Sequence, residues 1–218
     1  MADDVDIVRA IAGAPLRTVR LRDLKSFGTN VWRTVDRLVE QGALMRIVHG
    51  IYTVPPEGRD GRTWKPPFEA TALATATARY GARQVALMGV SAARHWRAIP
   101  RAISVAHVAV PRGGYAPATL DRGGTVRFIP RDLGRLDLIV ERTTLGEGLV
   151  TTPAQTLFDL LARPDHDGLT TDIAEAARNL VPRVRAAEFE EIADRHTRRA
   201  PEVKKMNDEL RARDAETE

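Results

Sequence analysis

Asn30, Arg33, Thr34 and Arg37 recur at spacings that place them together on one side of a helix, and their chemistry suits a nucleic acid. An arginine guanidinium can donate two hydrogen bonds to a guanine edge, and an asparagine amide can pair with adenine. At about 100° per residue, the other side of the same helix carries Val31, Val35, Leu38, Val39 and Gly42, with Trp32 at its edge beside Val39. Further candidates flank this set. Arg22 and Lys25 precede the helix and suit backbone phosphates, Thr29 stands at its start, and Arg46 and His49 lie on a following hairpin. Between Leu16 and His49 there are seven Arg or Lys (17, 20, 22, 25, 33, 37, 46) against three acids (23, 36, 40), a surplus equal to the +4 of the whole chain. The same residues also fit a plainer reading. Arg33 and Arg37 could be a solvated helix face paired with Asp36 or Glu40, and His49 a hairpin-turn residue.

The elements that must position these side chains can be read from periodicity. Val5, Val8, Ile11 and Ala12 predict a helix over 3–14, ended by Gly13 and Pro15. Leu21, Leu24 and Phe27 predict a second short helix over 21–27. After a tight turn at Gly28, Thr29 or Asn30 caps a third helix that runs to about Gln41 and stops at Gly42. Residues 43–54 change to alternation around a His49-Gly50 turn, which predicts a hairpin. That turn sets Ile47 opposite Tyr52 and Met45 opposite Val54, with Arg46 and Thr53 on the polar face. Helix, helix, turn, helix and hairpin spell a winged helix-turn-helix over 1–58, whose third helix would lie in the major groove. Winged helices also serve as protein-binding modules.

Residues 55–67, PPEGRDGRTWKPP, hold four Pro and two Gly among charges, so the boundary falls there, with 59–67 as linker or ordered crossover. Beyond it, 68–218 reads as a mixed α/β domain with a helical end. Helices are expected at 68–80, 90–98, 153–162, 169–180, 186–197 and 201–213. Strands are expected at 84–88, 103–110, 125–129, 136–142 and 148–151. Thr152 caps the helix at 153–162, which has Pro at its first position. Leu157, Phe158 and Leu161 form its apolar face, and Asp159 can pair with Arg163 at i, i+4. The fold class is therefore α+β.

Composition bounds the function. A chain of 218 residues with 43% hydrophobic and 28% charged residues supports a real core. The absence of cysteine excludes disulfides, thiolate catalysis and Cys-based zinc sites, and it suits a reducing cytoplasm. The start, MADDVDIVRAI, is acidic and lacks the apolar run of a signal peptide. The Ala-rich stretch 69–80 is interrupted by Glu69 and Arg79, so no membrane span is expected.

Catalytic constellations are sparse. His95, His107 and His166 are scattered, and there is no HExxH, no Ser-His-Asp cue and no phosphate loop. "LDLIVER" (136–142) offers Asp137 and Glu141 on one strand face as a nuclease-like pair. Four residues along a strand span about 13 Å, too far to clasp one metal. "RGGY" (112–115) and "RGG" (122–124) bracket a turn-rich loop. No enzyme activity, cofactor or metal is expected, with a nuclease as the remote alternative.

Two phrases carry a resemblance: "RIVHGIYTVP" in the hairpin and "LVTTPAQTLFDLLARP" at a strand-to-helix junction. With the order of elements over roughly residues 5–165, they make the chain similar to the AbiEi family of antitoxins and transcriptional regulators. The resemblance implies a protein that binds its own operator DNA through the first domain and represses its operon. It also implies that the second domain antagonises a cognate nucleotidyltransferase-like toxin. The chain itself lacks a nucleotidyl-transfer signature and so looks like the antitoxin. The alternative is a stand-alone winged-helix regulator with no toxin partner. Monomer and dimer remain open, as does the way a toxin would be neutralised.

Overall fold

In a computed structural model, residues 4–163, 168–195 and 200–217 are described. His166, expected in a loop, and the last residues of the helix expected over 186–197 lie outside the described residues.

The N-terminal unit begins with α1 (Asp4–Ala12), followed by β1 (Thr18–Arg20) and a 3-10 helix over Leu21–Phe27. Then come α2 (Val31–Glu40), β2 (Met45–Val48) and β3 (Ile51–Thr53). The three strands form one antiparallel sheet in the order β1-β3-β2. Two features depart from the expected succession. Strand β1 was not foreseen, and the second helix is a 3-10 helix. In α1 the buried residues are Ile7 and Ile11, while Val5 is exposed. Val31, Val35 and Leu38 of α2 pack with Ile7, Ile11, Leu24, Leu44, Tyr52 and Val54 in one apolar cluster, as the helical period requires.

The hairpin register differs from the expected one. Gly50 takes φ +75°, as a tight two-residue turn needs. Arg46 stands opposite Tyr52 and Val48 opposite Ile51, with a bulge at Ile47 between them. The bulge frees the Ile47 carbonyl, which accepts the Asp121 N–H at 2.9 Å. Of the expected polar face, Arg46 is exposed but Thr53 is not. Thr53 is buried and its hydroxyl donates to the Arg17 carbonyl at 2.8 Å. Met45, Ile47, Val48 and Ile51 pack into a second cluster with Ala70 and Leu73 from the following helix. Apart from Arg46, the hairpin's side chains divide between two cores, Tyr52 and Val54 in one and Met45, Ile47, Val48 and Ile51 in the other.

The remainder is built on a six-stranded mixed sheet of order β6-β7-β5-β4-β9-β8. Its strands are β4 (Ala86–Leu87), β5 (Val105–Val110), β6 (Ala118–Thr119), β7 (Thr125–Pro130), β8 (Leu138–Thr143) and β9 (Gly146–Thr151). β4 runs parallel to β9 and β5 parallel to β7; the other neighbours are antiparallel. Helices α3 (Phe68–Tyr80) and α4 (Gly89–His95) join these strands to the rest. Helices α5 (Pro153–Ala162), α6 (Thr170–Leu180), α7 (Ala186–Asp194) and α8 (Pro201–Thr217) complete the chain. Thr152 caps α5 as expected, accepting from the Gln155 N–H at 3.2 Å. Leu157, Phe158 and Leu160 of α5 are buried against Phe189 and Leu180. No described helix is long and apolar enough to cross a membrane.

Residues 55–67 form an ordered crossover. The Gly61 N–H donates to the Gly42 carbonyl at 2.8 Å, and Arg122 donates to the carbonyls of Gly61 and Arg62. A Cβ on Gly61 would lie 2.5 Å from the Leu44 carbonyl oxygen, so this close approach requires glycine. Composition breaks at this segment, but apolar packing does not, because the hairpin contributes to the core of the second unit.

Candidate nucleic-acid interface

The side chains that carry the nucleic-acid reading diverge onto two sides of the N-terminal unit. On one side, the end of the 3-10 helix, the start of α2 and the hairpin turn enclose an open groove of about 690 Å³. Arg22, Lys25, Thr29 and His49 line it, joined by Arg20, Trp32, Arg79 and Tyr115. Gly28, at φ +134°, turns the chain from the 3-10 helix into α2 and so brings Lys25 and Thr29 to the same rim. Asn30 is the residue preceding α2. It is exposed, and its side chain makes no capping bond, contrary to the expected cap, which leaves its amide available to a partner. Arg33 is exposed one turn on, with its guanidinium 5.1 Å from the centroid of the Trp32 ring. Thr34 is half-buried beside them.

Trp32, expected at the edge of the apolar face, is 47% exposed. The buried stripe of α2 is narrow, and its core positions Val31, Val35 and Leu38 leave Trp32 outside. An exposed indole beside cations is a surface on which sugars and bases can pack.

The second unit supplies the far wall of the groove. Arg79, at the end of α3, lies over both Tyr115 and Phe128, at 5.1 and 5.0 Å from the ring centroids. It donates to the Ala116 carbonyl at 3.3 Å. Burial draws its guanidinium below the usual arginine value, with Tyr115 and Tyr80 opposing. Tyr115 belongs to the RGGY stretch at one end of the turn-rich loop expected from the sequence. Arg20 is held by Asp23 at 2.8 and 3.0 Å, and that partner raises its pKa. Lys25 makes no ion pair among the described residues.

Arg37 and Arg46 lie elsewhere. Both carboxylate oxygens of Asp4 accept from Arg37 at 2.8 Å, so this helix-face cation is clasped by the start of α1. The pair holds the Asp4 carboxyl below its ordinary range and Arg37 above its own. Arg46 is bound by Asp121 of the second unit across a separate depression. Neither of the acids considered as partners in the sequence, Asp36 or Glu40, takes these roles. Arg20 was counted in the basic segment but not singled out, and Arg79 and Tyr115 were missed because no local pattern links residues this far apart in the chain.

The acids of the nuclease alternative are engaged in structure. Asp137 accepts from the Thr152 hydroxyl at 2.8 Å, and Glu141 lies 3.2 Å from His95 Nε2. Among the described residues, no group of three or more His, Cys, Asp or Glu could hold a metal ion.

Comparison with known proteins adds three findings. The chain matches a solved structure, that of the RV2827C protein from Mycobacterium tuberculosis, with a TM-score of 0.62 at 19% identity. The match covers 94% of this chain and 74% of that one, a likeness of fold alone. No curated protein matches. The model of the family described as "AbiEi antitoxin C-terminal domain" matches residues 84–205, more than half of the chain. That match supports the role of an antitoxin in a toxin–antitoxin system, a regulatory kind of protein, and with it a toxin as partner. By the extent of this match, the chain belongs to the AbiEi antitoxin family.

Proposed function

We propose that this antitoxin binds its own promoter DNA through the N-terminal unit, used as a winged helix, and represses its operon. In this reading α2 enters the major groove. Asn30 and Arg33 face base edges, with Thr34 beside them, while Arg22, Lys25, Thr29 and His49 hold the phosphate backbone. Arg37 and Arg46 take a secondary part, since each would have to exchange a carboxylate for a phosphate. Residues 1–58 form the DNA-binding part and 59–67 the crossover. Residues 68–218 form the antitoxin part, which antagonises a nucleotidyltransferase-like toxin in the cytoplasm.

The observation that carries the DNA reading is the groove itself. It gathers Arg22 and Lys25 of the 3-10 helix and His49 of the hairpin turn at the N-terminal end of an exposed, basic helix face. A polyanion is the natural partner for this surface, where Lys25 has no ion pair among the described residues and Arg20 and Arg22 share the single carboxylate of Asp23.

Fluorescence anisotropy on a duplex from the region upstream of the gene tests it. Binding should exceed that of a scrambled duplex, and log affinity should fall steeply and linearly with log salt. Equal affinity for both duplexes, or indifference to salt, would remove the reading. Protection of cells by co-expression against the product of a neighbouring nucleotidyltransferase-like gene tests the toxin half separately.

A further inference from the structure

A second site is built into the other unit, away from the groove. Asp159 projects from α5 into a partly enclosed pocket of about 350 Å³. One of its carboxylate oxygens, Oδ1, accepts from Gln155 Nε2 at 3.0 Å, and the nearby Gly89 backbone N–H favours the charged form. The other oxygen, Oδ2, is buried and has no hydrogen-bond partner. The expected pairing of Asp159 with Arg163 is therefore not made, although Arg163 lines the same pocket. Arg131, from just beyond β7, lines it too. Its guanidinium is half-buried, attracted by Asp159 and repelled by Arg163. Phe158, His107 and Met88 complete the walls.

These groups are only partly matched, since two guanidiniums share one carboxylate and one of its oxygens lacks a donor. A buried carboxylate oxygen without a donor is costly. Two guanidiniums that repel one another across a confined space call for an anion between them. A molecule that brings one anionic group and one N–H or O–H donor would answer both. Two arginines match the charge of a phosphate monoester, which approaches two negative charges at neutral pH. The volume lies at the small end of ligand sites. It suits a sugar phosphate or a nucleoside monophosphate and is too small for a folded partner. We infer that the pocket beside α5 binds a small phosphorylated metabolite. Its phosphate would sit on Arg131 and Arg163, with a ribose hydroxyl or base amino group donating to Asp159 Oδ2. This site is independent of the DNA interface and of the proposed repression.

Thermal melting of the full chain tests the proposal with inorganic phosphate, ribose 5-phosphate and the four ribonucleoside 5′-monophosphates, each at equal millimolar concentration. At least one organic phosphate, present at about ten times its Kd, should raise the melting temperature by roughly 3–6 °C. Isothermal titration should then give one site per chain. Arg131→Ala should abolish the rise by removing the phosphate contact. Asp159→Asn keeps the shape of the side chain and should weaken the organic phosphate about tenfold or more while leaving inorganic phosphate unaffected. Absence of any shift in the folded wild-type protein would overturn the proposal. So would a shift that persists in Arg131→Ala, or inorganic phosphate acting as strongly as every organic one.

Discussion

The groove at the start of α2 and the pocket beside α5 each leave charge unanswered, and they do so under opposite conditions. Lys25 in the groove and Arg33 beside its Trp32 wall have no carboxylate partner among the described residues and stand in solvent, where an unpaired cation costs little. In the pocket, the Oδ2 oxygen of half-buried Asp159 is shielded from solvent and lacks a donor, where an unpaired charge costs a great deal. An exposed surplus can be held ready for a large polyanion without loss of stability. A buried surplus shifts its own titration, and burial raises the Asp159 pKa from 3.8 to about 7. The pairs Arg37–Asp4 and Arg46–Asp121 mark a third condition, exposed cations already answered from within.

The largest effect is expected from Asp159. Its folded-state pKa is raised, so it favours the native state fully below its unfolded value, and that contribution is lost as pH rises through about 7. At about 1.4 kcal/mol per unit, the loss by pH 8 is on the order of 1–4 kcal/mol. Asp159→Asn should therefore melt above wild type at pH 8, with the difference shrinking towards pH 4. Equal melting curves at both pH values would mean that the carboxylate is satisfied in solution.

Next comes Arg33→Ala. Loss of a base-edge contact should cost about 1–3 kcal/mol in operator affinity and relax selectivity at one or two base pairs. The melting temperature should be unchanged, because Arg33 is exposed. Comparison of the variant's affinity across an operator mutant series, with its melting curve alongside, checks this. Unchanged affinity and selectivity in the folded variant would assign DNA to another face of α2.

The apolar face of α2 was legible because Val31, Val35 and Leu38 recur at helical spacing and nothing else competes for them. The hairpin turn was legible from Gly50, and the α5 cap from Thr152 followed by Pro153. The register of the hairpin was not, because the bulge at Ile47 is tied to the Asp121 N–H, a contact from the second unit. Strand β1 was hidden for a related reason. It begins directly after Leu16 and Arg17, which both hold positive φ, and three residues are too short to show a period. In the groove, Arg22, Lys25, Thr29 and His49 were readable as a basic cluster near one helix, whereas Arg79 and Tyr115 arrive only through tertiary packing. Asp159 looked like half of a helical ion pair. Its bond is to Gln155 instead, one turn earlier on α5, a partner that the same i, i+4 spacing offers equally and that only the packing of the pocket selects.

The most direct test sets one cation of the groove against one already paired. Lys25→Ala and Arg46→Ala remove the same charge from the same unit, and operator affinity for each is measured over a series of salt concentrations beside wild type. The account predicts that Lys25→Ala flattens the slope of log affinity against log salt by about one unit, weakening all duplexes alike. Arg46→Ala should leave the slope close to wild type, because Asp121 already holds that guanidinium. The contrary result is a flattened slope for Arg46→Ala with Lys25→Ala unchanged, which would move the DNA to the opposite side of the N-terminal unit.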